Sequence, residues 1–240
     1  MTIKQTKFYM FLAQMKKKVL RFGYLIMRFL FPIKFLWKLF AQKGELEHHV
    51  GDEWRQTDDF MVHTGKLMSR MKYTENSFKD KIVIDMGNGS KLRSKFFKDS
   101  KIIAIDPLND NFRNNIEWSD VGDAHKCFSV PAEEMIDEIA GVADFVMCIN
   151  VLDHTYNPKK ILENIFAYLK DDGEFFLSVD LNHSIPNSKH PFAFSDHTVK
   201  QLLDSVGFVL KDHADGVTDE DETNFGSGDG GAANYILYKK

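Results

Sequence analysis

Lys81-Ile82-Val83-Ile84-Asp85-Met86-Gly87-Asn88-Gly89-Ser90 is the stretch on which the fold turns. A short β-branched run reads as a strand. It ends in an acid and then in two glycines two positions apart. That spacing permits a tight turn and lets a ligand approach main-chain N–H groups with no Cβ in the way. A plain structural turn uses the same residues, so the stretch gains meaning only from what surrounds it.

Working outward, strand-like runs recur at Ile102–Ile105, Lys126–Val130, Phe145–Ile149, Glu174–Val179, Phe208–Leu210 and Tyr235–Tyr238. Between them, Pro158–Leu169 places Ile161, Leu162, Ile165, Phe166 and Leu169 on one helical face, and Val199–Val206 is also helical in spacing. Alternation with near-continuous apolar strands predicts an α/β, Rossmann-like fold. The expected sheet has seven mostly parallel strands with helices on both faces. Ligands of such sheets bind beyond the carboxyl ends of the strands, so the residues just after each strand matter most.

The second run ends in Asp106-Pro107, with Asp106 17 residues after Gly89. A carboxylate at the tip of the neighbouring strand can accept hydrogen bonds from both hydroxyls of a ribose. A strand-end Asp is also a common turn former, but together with the glycine turn it points to a nucleoside ligand. A dinucleotide site asks for a third small residue where this chain has the bulky Leu92, and no P-loop pattern occurs. Asp85 ahead of the glycines suits a ligand with a cationic amino acid group better than one with phosphates.

On these residues the chain resembles the class I S-adenosylmethionine-dependent methyltransferases, of the type 11-like kind. Val83 to Gly89 is similar to that family's glycine-rich first motif, and Ile103 to Asp106 to its ribose-binding strand end. Val130-Pro131-Ala132-Glu133-Glu134 resembles the segment flanking the adenine, and Asp144 to His154 the fourth-strand motif. The likeness runs from about residue 80 to 212, with Tyr235–Tyr238 as the expected final antiparallel strand. It implies S-adenosyl-L-methionine as cofactor, held by Asp85, Gly87, Asn88, Gly89, Asp106, Pro107, Ala132, Glu133 and Asn150. Ser90-Lys91 departs from the family, most members of which carry a small residue and a third glycine there. A descendant that binds cofactor or scaffolds without turnover, and an NAD-dependent oxidoreductase, are the rival readings.

Methyl transfer to a hydroxyl needs a positioned acceptor and a group to take its proton. Histidine suits that task near neutral pH. His154 and His190 are the candidates for acceptor chemistry, with His183 and His197 nearby in sequence. Asp153 either orients His154 or caps the helix beginning near Pro158. The segment from Asn182 to Phe194 lies where acceptor loops sit in this fold, and its His-Pro-Phe-x-Phe pattern has a weaker likeness to bacterial surface-polysaccharide methyltransferases. A hydroxyl of a sugar or lipid-linked glycan at a membrane surface is the favoured acceptor; a quinone or other small metabolite is the alternative. No metal is expected, and the acidic run Asp212 to Asp229 reads as a solvated loop.

The amino-terminal part differs in kind. Residues 1–43 hold ten Lys or Arg and no acid, so the net −4 of the chain leaves −14 on the rest. An acidic body argues against nucleic acid, and a basic arm for an anionic surface. The longest uncharged run, Phe8 to Met15, is too short to span a bilayer. Instead Phe8, Leu12, Met15, Val19, Ile26 and Leu30 fall on one side of a helix and most cations on the other. Pro32 is expected to end or kink that helix. The arm reads as an interfacial helix on an anionic membrane through residues 1–41, as a helix packed on the body or a partner, or as a targeting segment. The expected organisation is a basic amphipathic extension (1–43), a helical lid or linker containing Gly51-Asp52-Glu53-Trp54-Arg55 (44–80), and the methyltransferase domain (81–240). Two cysteines in apolar runs, Cys127 and Cys148, fit buried thiols in a reducing cytoplasm. The expected location is therefore cytoplasmic, peripheral on the membrane.

Overall fold

The computed structural model describes residues 15–16, 19, 22–181, 186–214 and 232–239. His183 and most of the acidic run lie outside the described residues.

Seven strands form one sheet: β1 (Ile82–Met86), β2 (Lys101–Ile105), β3 (Lys126–Phe128), β4 (Ala143–Ile149), β5 (Leu169–Asp180), β6 (Phe208–Ala214) and β7 (Ala232–Lys239). Their order is β3-β2-β1-β4-β5-β7-β6, and only β7 runs antiparallel to its neighbours. The expected α/β, Rossmann-like sheet is present. The chain reverses direction of growth between β1 and β4, so the crevice at their carboxyl ends is the switch point where a ligand belongs.

Strand register explains the apolar runs. Ile84, Val146 and Cys148 face one core, with helices α7 (Pro158–Tyr168) and α8 (Asp196–Val206), while the short α6 (Asn109–Asn115) follows β2. Val83, Phe145 and Met147 face the other, against Leu67, Met68 and Met71. Both faces are dry, so both positions of the two-residue repeat must be apolar. The second face is covered from upstream, by α5 (Asp59–Arg70). Between β1 and β2 the chain makes only a 3₁₀ turn, Arg93–Phe96. Phe145 stacks on Phe78 with ring centroids 4.2 Å apart, beside Phe97 and Tyr73.

Helix α7 starts where Asn157 accepts from Lys160 N and Pro158 occupies the first turn. Asn157, not Asp153, is thus the cap. Helix α8 starts in a capping box between Ser195 and Thr198 and ends at Gly207, whose φ of 104° no β-carbon residue adopts comfortably.

Upstream of α5 the helices are α1 (22–30), α2 (Ile33–Leu36), α3 (Gln42–Val50) and α4 (Glu53–Gln56). Pro32, at φ −56° and ψ 136°, breaks α1 from α2. A π-helical turn, Trp37–Ala41, joins α2 to α3, so the boundary expected at residue 43 falls within one continuous helical rod. No helix among the described residues is long and apolar enough to cross a membrane.

Candidate active site

A cavity of about 600 Å³ opens at the carboxyl ends of β1, β2 and β4. Its floor is the quoted turn. Gly87 and Gly89 sit at φ 69° and 63°, the left-handed region open to glycine. A β-carbon on Gly87 would collide with Val151, and one on Gly89 would come within 2.6 Å of His49 Cε1. The turn therefore needs both glycines for its own packing as well as for access. Asn88 donates to Asn109 Oδ1 at 2.9 Å, while its own Oδ1 has no hydrogen-bond partner. Asn150 follows β4 in the left-handed region at φ 56°, and its buried Oδ1 also has no hydrogen-bond partner.

Asp106 closes the second side. Oδ2 accepts from Gly89 N at 3.2 Å and Oδ1 from Leu108 N at 2.8 Å, which fixes the carboxylate and leaves each oxygen a further lone pair. Burial pushes its pKa up to about 7 against those two hydrogen bonds, with Glu45 and Asp85 adding repulsion. Asp85 is likewise raised, to about 6, by burial, while its carboxylate accepts from Ser94 N at 3.0 Å. Glu133 is raised by burial and accepts from Tyr156 N and Asn157 N at 2.8 and 3.2 Å. Ala132 and Pro107 complete this wall, Ala132 through a carbonyl that accepts from Asn164 Nδ2. All nine residues expected to hold cofactor line one cavity. Several acids held against their own ionisation, with orphaned amide oxygens beside them, suit a cationic ligand that also offers hydroxyl and amino donors. S-adenosylmethionine is such a molecule.

Across the cavity, His154 and His190 stand with ring centroids 4.3 Å apart. Asp153, 1% exposed, lies behind both: Oδ2 accepts from His190 Nδ1 at 2.6 Å and is 3.6 Å from His154 Nε2. Burial works against the Asp153 carboxylate, yet His154 and the hydrogen bond from His190 hold its pKa below the usual range. With Nδ1 donating to Asp153, a neutral His190 carries its lone pair on Nε2. Asp153, His154 and His190 are the one cluster among the described residues whose ligand atoms come close enough to hold a metal ion. The 2.6 Å contact between His190 and Asp153 has the length of a hydrogen bond. His197 is on the exposed first turn of α8 and does not line the cavity.

The third wall comes from the rod before the sheet. Trp37 Nε1 donates to His154 O at 2.6 Å and its ring meets Tyr156 edge-on. His49 is buried against Phe112. Its Nδ1 accepts from Ser90 N at 3.3 Å and pairs with Ser90 Oγ at 2.7 Å, so the proton sits on Nε2, 3.2 Å from Glu45 Oε1. Burial lowers the His49 pKa against its bond to Glu45. Burial opposes ionisation of Glu45, but His49, His154 and His48 together bring it to about 2. Glu45 Oε2 lies 3.8 Å from His154 Nδ1. Asp52 caps α4, binds Arg55 Nε at 2.8 Å, and lines the cavity with Trp54 and Arg55. Glu45, His49, Trp37 and Asp153 as the brace of His190 are the members that sequence reasoning missed. The one legible trace was Ser90, a departure from the family pattern that here seats His49.

The profile of a family described as "Methyltransferase domain" matches residues 54–213. Among curated proteins the chain is 27% identical over 116 residues to a ubiquinone biosynthesis O-methyltransferase of Coxiella burnetii, covering 45% of this chain and 48% of that protein. The chain thus matches about half the length of these curated relatives. Among solved structures it is similar to the 1,6-didemethyltoxoflavin N1-methyltransferase of Burkholderia thailandensis, solved with 1,6-didemethyltoxoflavin and S-adenosylhomocysteine bound. That match has TM-score 0.52 and 16% identity over 79% of this chain and 80% of that one. The mitomycin 7-O-methyltransferase MmcR gives TM-score 0.52 and 16% identity over 75% and 54%. At such identities the likeness speaks for the fold.

Proposed function

Since the chain belongs to the methyltransferase-domain family, we propose that it is an S-adenosylmethionine-dependent O-methyltransferase acting on a hydroxyl of a sugar or lipid-linked glycan at a membrane surface. The observation that carries the oxygen acceptor is His190, braced from behind by Asp153 and lining the same cavity as the glycine turn and Asp106. In this reading Asp106 receives the ribose hydroxyls, the turn at Gly87–Gly89 and Asp85 receive the amino acid end, and Ala132, Glu133 and Asn150 flank the base. The bound cofactor supplies a methyl group on a positively charged sulfur, which leaves as a neutral thioether once the acceptor oxygen has taken the methyl. The chain's part is to orient the acceptor and remove its proton. His190 Nε2 takes that proton as the O–C bond forms, and Asp153 stabilises the imidazolium so produced. His154 and Trp37 form the wall against which the acceptor is held. Polar groups (Glu45, His154, His190) beside the Trp37 ring suit a sugar.

A second reading, a hydroxylated quinone, is favoured by the match to a ubiquinone biosynthesis O-methyltransferase. One experiment separates them. The protein is incubated with bacterial membranes and methyl-labelled S-adenosylmethionine, and the product is hydrolysed in acid. Label recovered as an O-methyl sugar supports the glycan, and label on an apolar ring supports the quinone. Label on nitrogen or carbon would sink the O-methyl reading altogether.

A further inference from the structure

The arm before the sheet has two faces, and they point to different partners. Inward, Tyr24, Leu36 and Trp37 are buried on the body. Arg28 Nη1 donates to Pro191 O at 2.6 Å and its guanidinium lies over Phe192. Trp37 Nε1 holds the carbonyl of His154. These contacts grip the backbone at both histidines of the site. Outward, Phe22 is 67% exposed, Phe29 91% and Leu30 65%, and the apolar strip continues through Ile26, Phe35 and Leu39. Folded surfaces rarely leave so many large apolar side chains side by side in water.

The charge of the arm selects the occupant. Its ten cations and no acid stand against −14 on the rest of the chain. Lys16, Lys38 and Lys43 are exposed within the described part. Arg28 and Lys34 turn to the body, but an exposed apolar strip on an arm that also exposes Lys16, Lys38 and Lys43 fits the headgroup region of an anionic bilayer, and the acidic body would be repelled from that bilayer, leaving the arm as the side that faces it. We propose that α1, α2 and the turn to α3 are a clamp that docks on an anionic bilayer by the Phe22–Phe29–Leu30 strip and, by docking, holds the Trp37 and Glu45 wall closed over the cavity. This rests on the methyltransferase reading of that cavity and adds how the membrane regulates it. The strip continues past Pro32 through Phe35 and Leu39, on the same helical rod that carries buried Trp37 and, further on, Glu45, so a bilayer that immobilises the exposed side restrains the wall.

The test uses the full chain, because removing residues 1–41 would strip Trp37 from the cavity itself. Wild type and the variant Phe22→Glu/Phe29→Glu, whose two changes lie at exposed positions, are mixed with vesicles of phosphatidylglycerol and phosphatidylcholine, or of phosphatidylcholine alone. Sedimentation, S-adenosylhomocysteine affinity and amide exchange across residues 33–50 are read together. The proposal expects wild type to sediment with the anionic vesicles only, exchange across 33–50 to slow, and S-adenosylhomocysteine to bind about fivefold tighter or more, the low end of ordinary coupling. The double variant should show none of these while folding normally. Equal binding to neutral vesicles, binding with no change in exchange, or no vesicle binding with elution as a dimer would each overturn it; the last assigns the strip to a second copy. Failure of S-adenosylhomocysteine to bind under any condition would count against the methyltransferase reading instead, with sedimentation and exchange still deciding the clamp.

Discussion

Replacing Asp153 by Asn keeps the shape of a fully buried side chain and removes its charge. The carboxylate accepts from His190 Nδ1 at 2.6 Å and lies 3.6 Å from His154 Nε2. If the Asn amide oxygen takes over the acceptor role, a charge-assisted bond becomes a neutral one. That loses about 1–1.5 kcal/mol, or roughly tenfold in the stabilisation of the imidazolium. If the amide NH₂ turns to His190 instead, Nδ1 must become the acceptor and the proton moves to Nε2. The base is then lost, and the penalty rises to about 10²–10⁴ in kcat. Asp153 does not line the cavity, so S-adenosylhomocysteine affinity should stay within about threefold of wild type, far below the tenfold that 1.4 kcal/mol gives. Stability adds a signed check. Because the folded carboxyl is held below its ordinary pKa, its contribution is present above about pH 4 and fades as the pH falls further. Asp153→Asn should therefore be less stable than wild type at pH 7, with the gap narrowing in acid. The assay is label transfer to membranes beside calorimetric titration of S-adenosylhomocysteine. Unchanged kcat with normal binding would refute the Asp153–His190 reasoning.

Gly89→Ala should cost about 1–2 kcal/mol from the left-handed backbone alone. The new methyl also meets His49 at 2.6 Å, so thermal unfolding should fall and exchange across α3 should rise together. Glu45, drawn down to about 2 by His49 and His154, stabilises the docking of α3 above its unfolded pKa and ceases to as the pH drops toward 2. Amide exchange across α3 should accelerate through that window, and Glu45→Gln should abolish the pH dependence; a wild type insensitive to pH there contradicts the pairing. Phe145→Ala empties a fully buried site between Phe78 and Phe97, costing about 3–5 kcal/mol by chemical denaturation. A loss under 1 kcal/mol would mean that the ring stack is not the core it looks to be.

The parts of the molecule legible in sequence are those fixed by local chemistry. β-branched runs buried on both faces read as strands, and the residues after Ile84, Ile105 and Ile149 read as site residues because the fold class says where strands end. A helical lid or linker was expected over residues 44–80, but which of its residues reach the cavity was not legible, since that lies in contacts such as His49 to Ser90, 41 positions apart. Nothing in the local pattern of Gln42–Val50 marks an inward face: neither His48 nor His49 is apolar, yet only His49 is buried. Between β1 and β2 the chain makes a single 3₁₀ turn, and α5 arrives from upstream to cover that face, an arrangement no local pattern announces. β5 starts at Leu169 rather than at Glu174, and Gly173 sits there so close to the carbonyl of Ala143 that a β-carbon would be 2.9 Å from it. The amphipathic arm was read as a membrane-surface helix, a helix packed on the body or a partner, or a targeting segment. The described residues show one face packed on the body and the other left open.

The central claim is that the cavity over Gly87, Gly89 and Asp106 receives S-adenosylmethionine. Calorimetric titration of S-adenosylmethionine into wild type and Asp106→Ala tests it most directly. The account predicts micromolar-range binding that weakens at least tenfold in the variant, since hydrogen bonds to a charged group contribute about 1.5–3 kcal/mol. No binding by a folded wild type, or equal binding by both proteins, would contradict it.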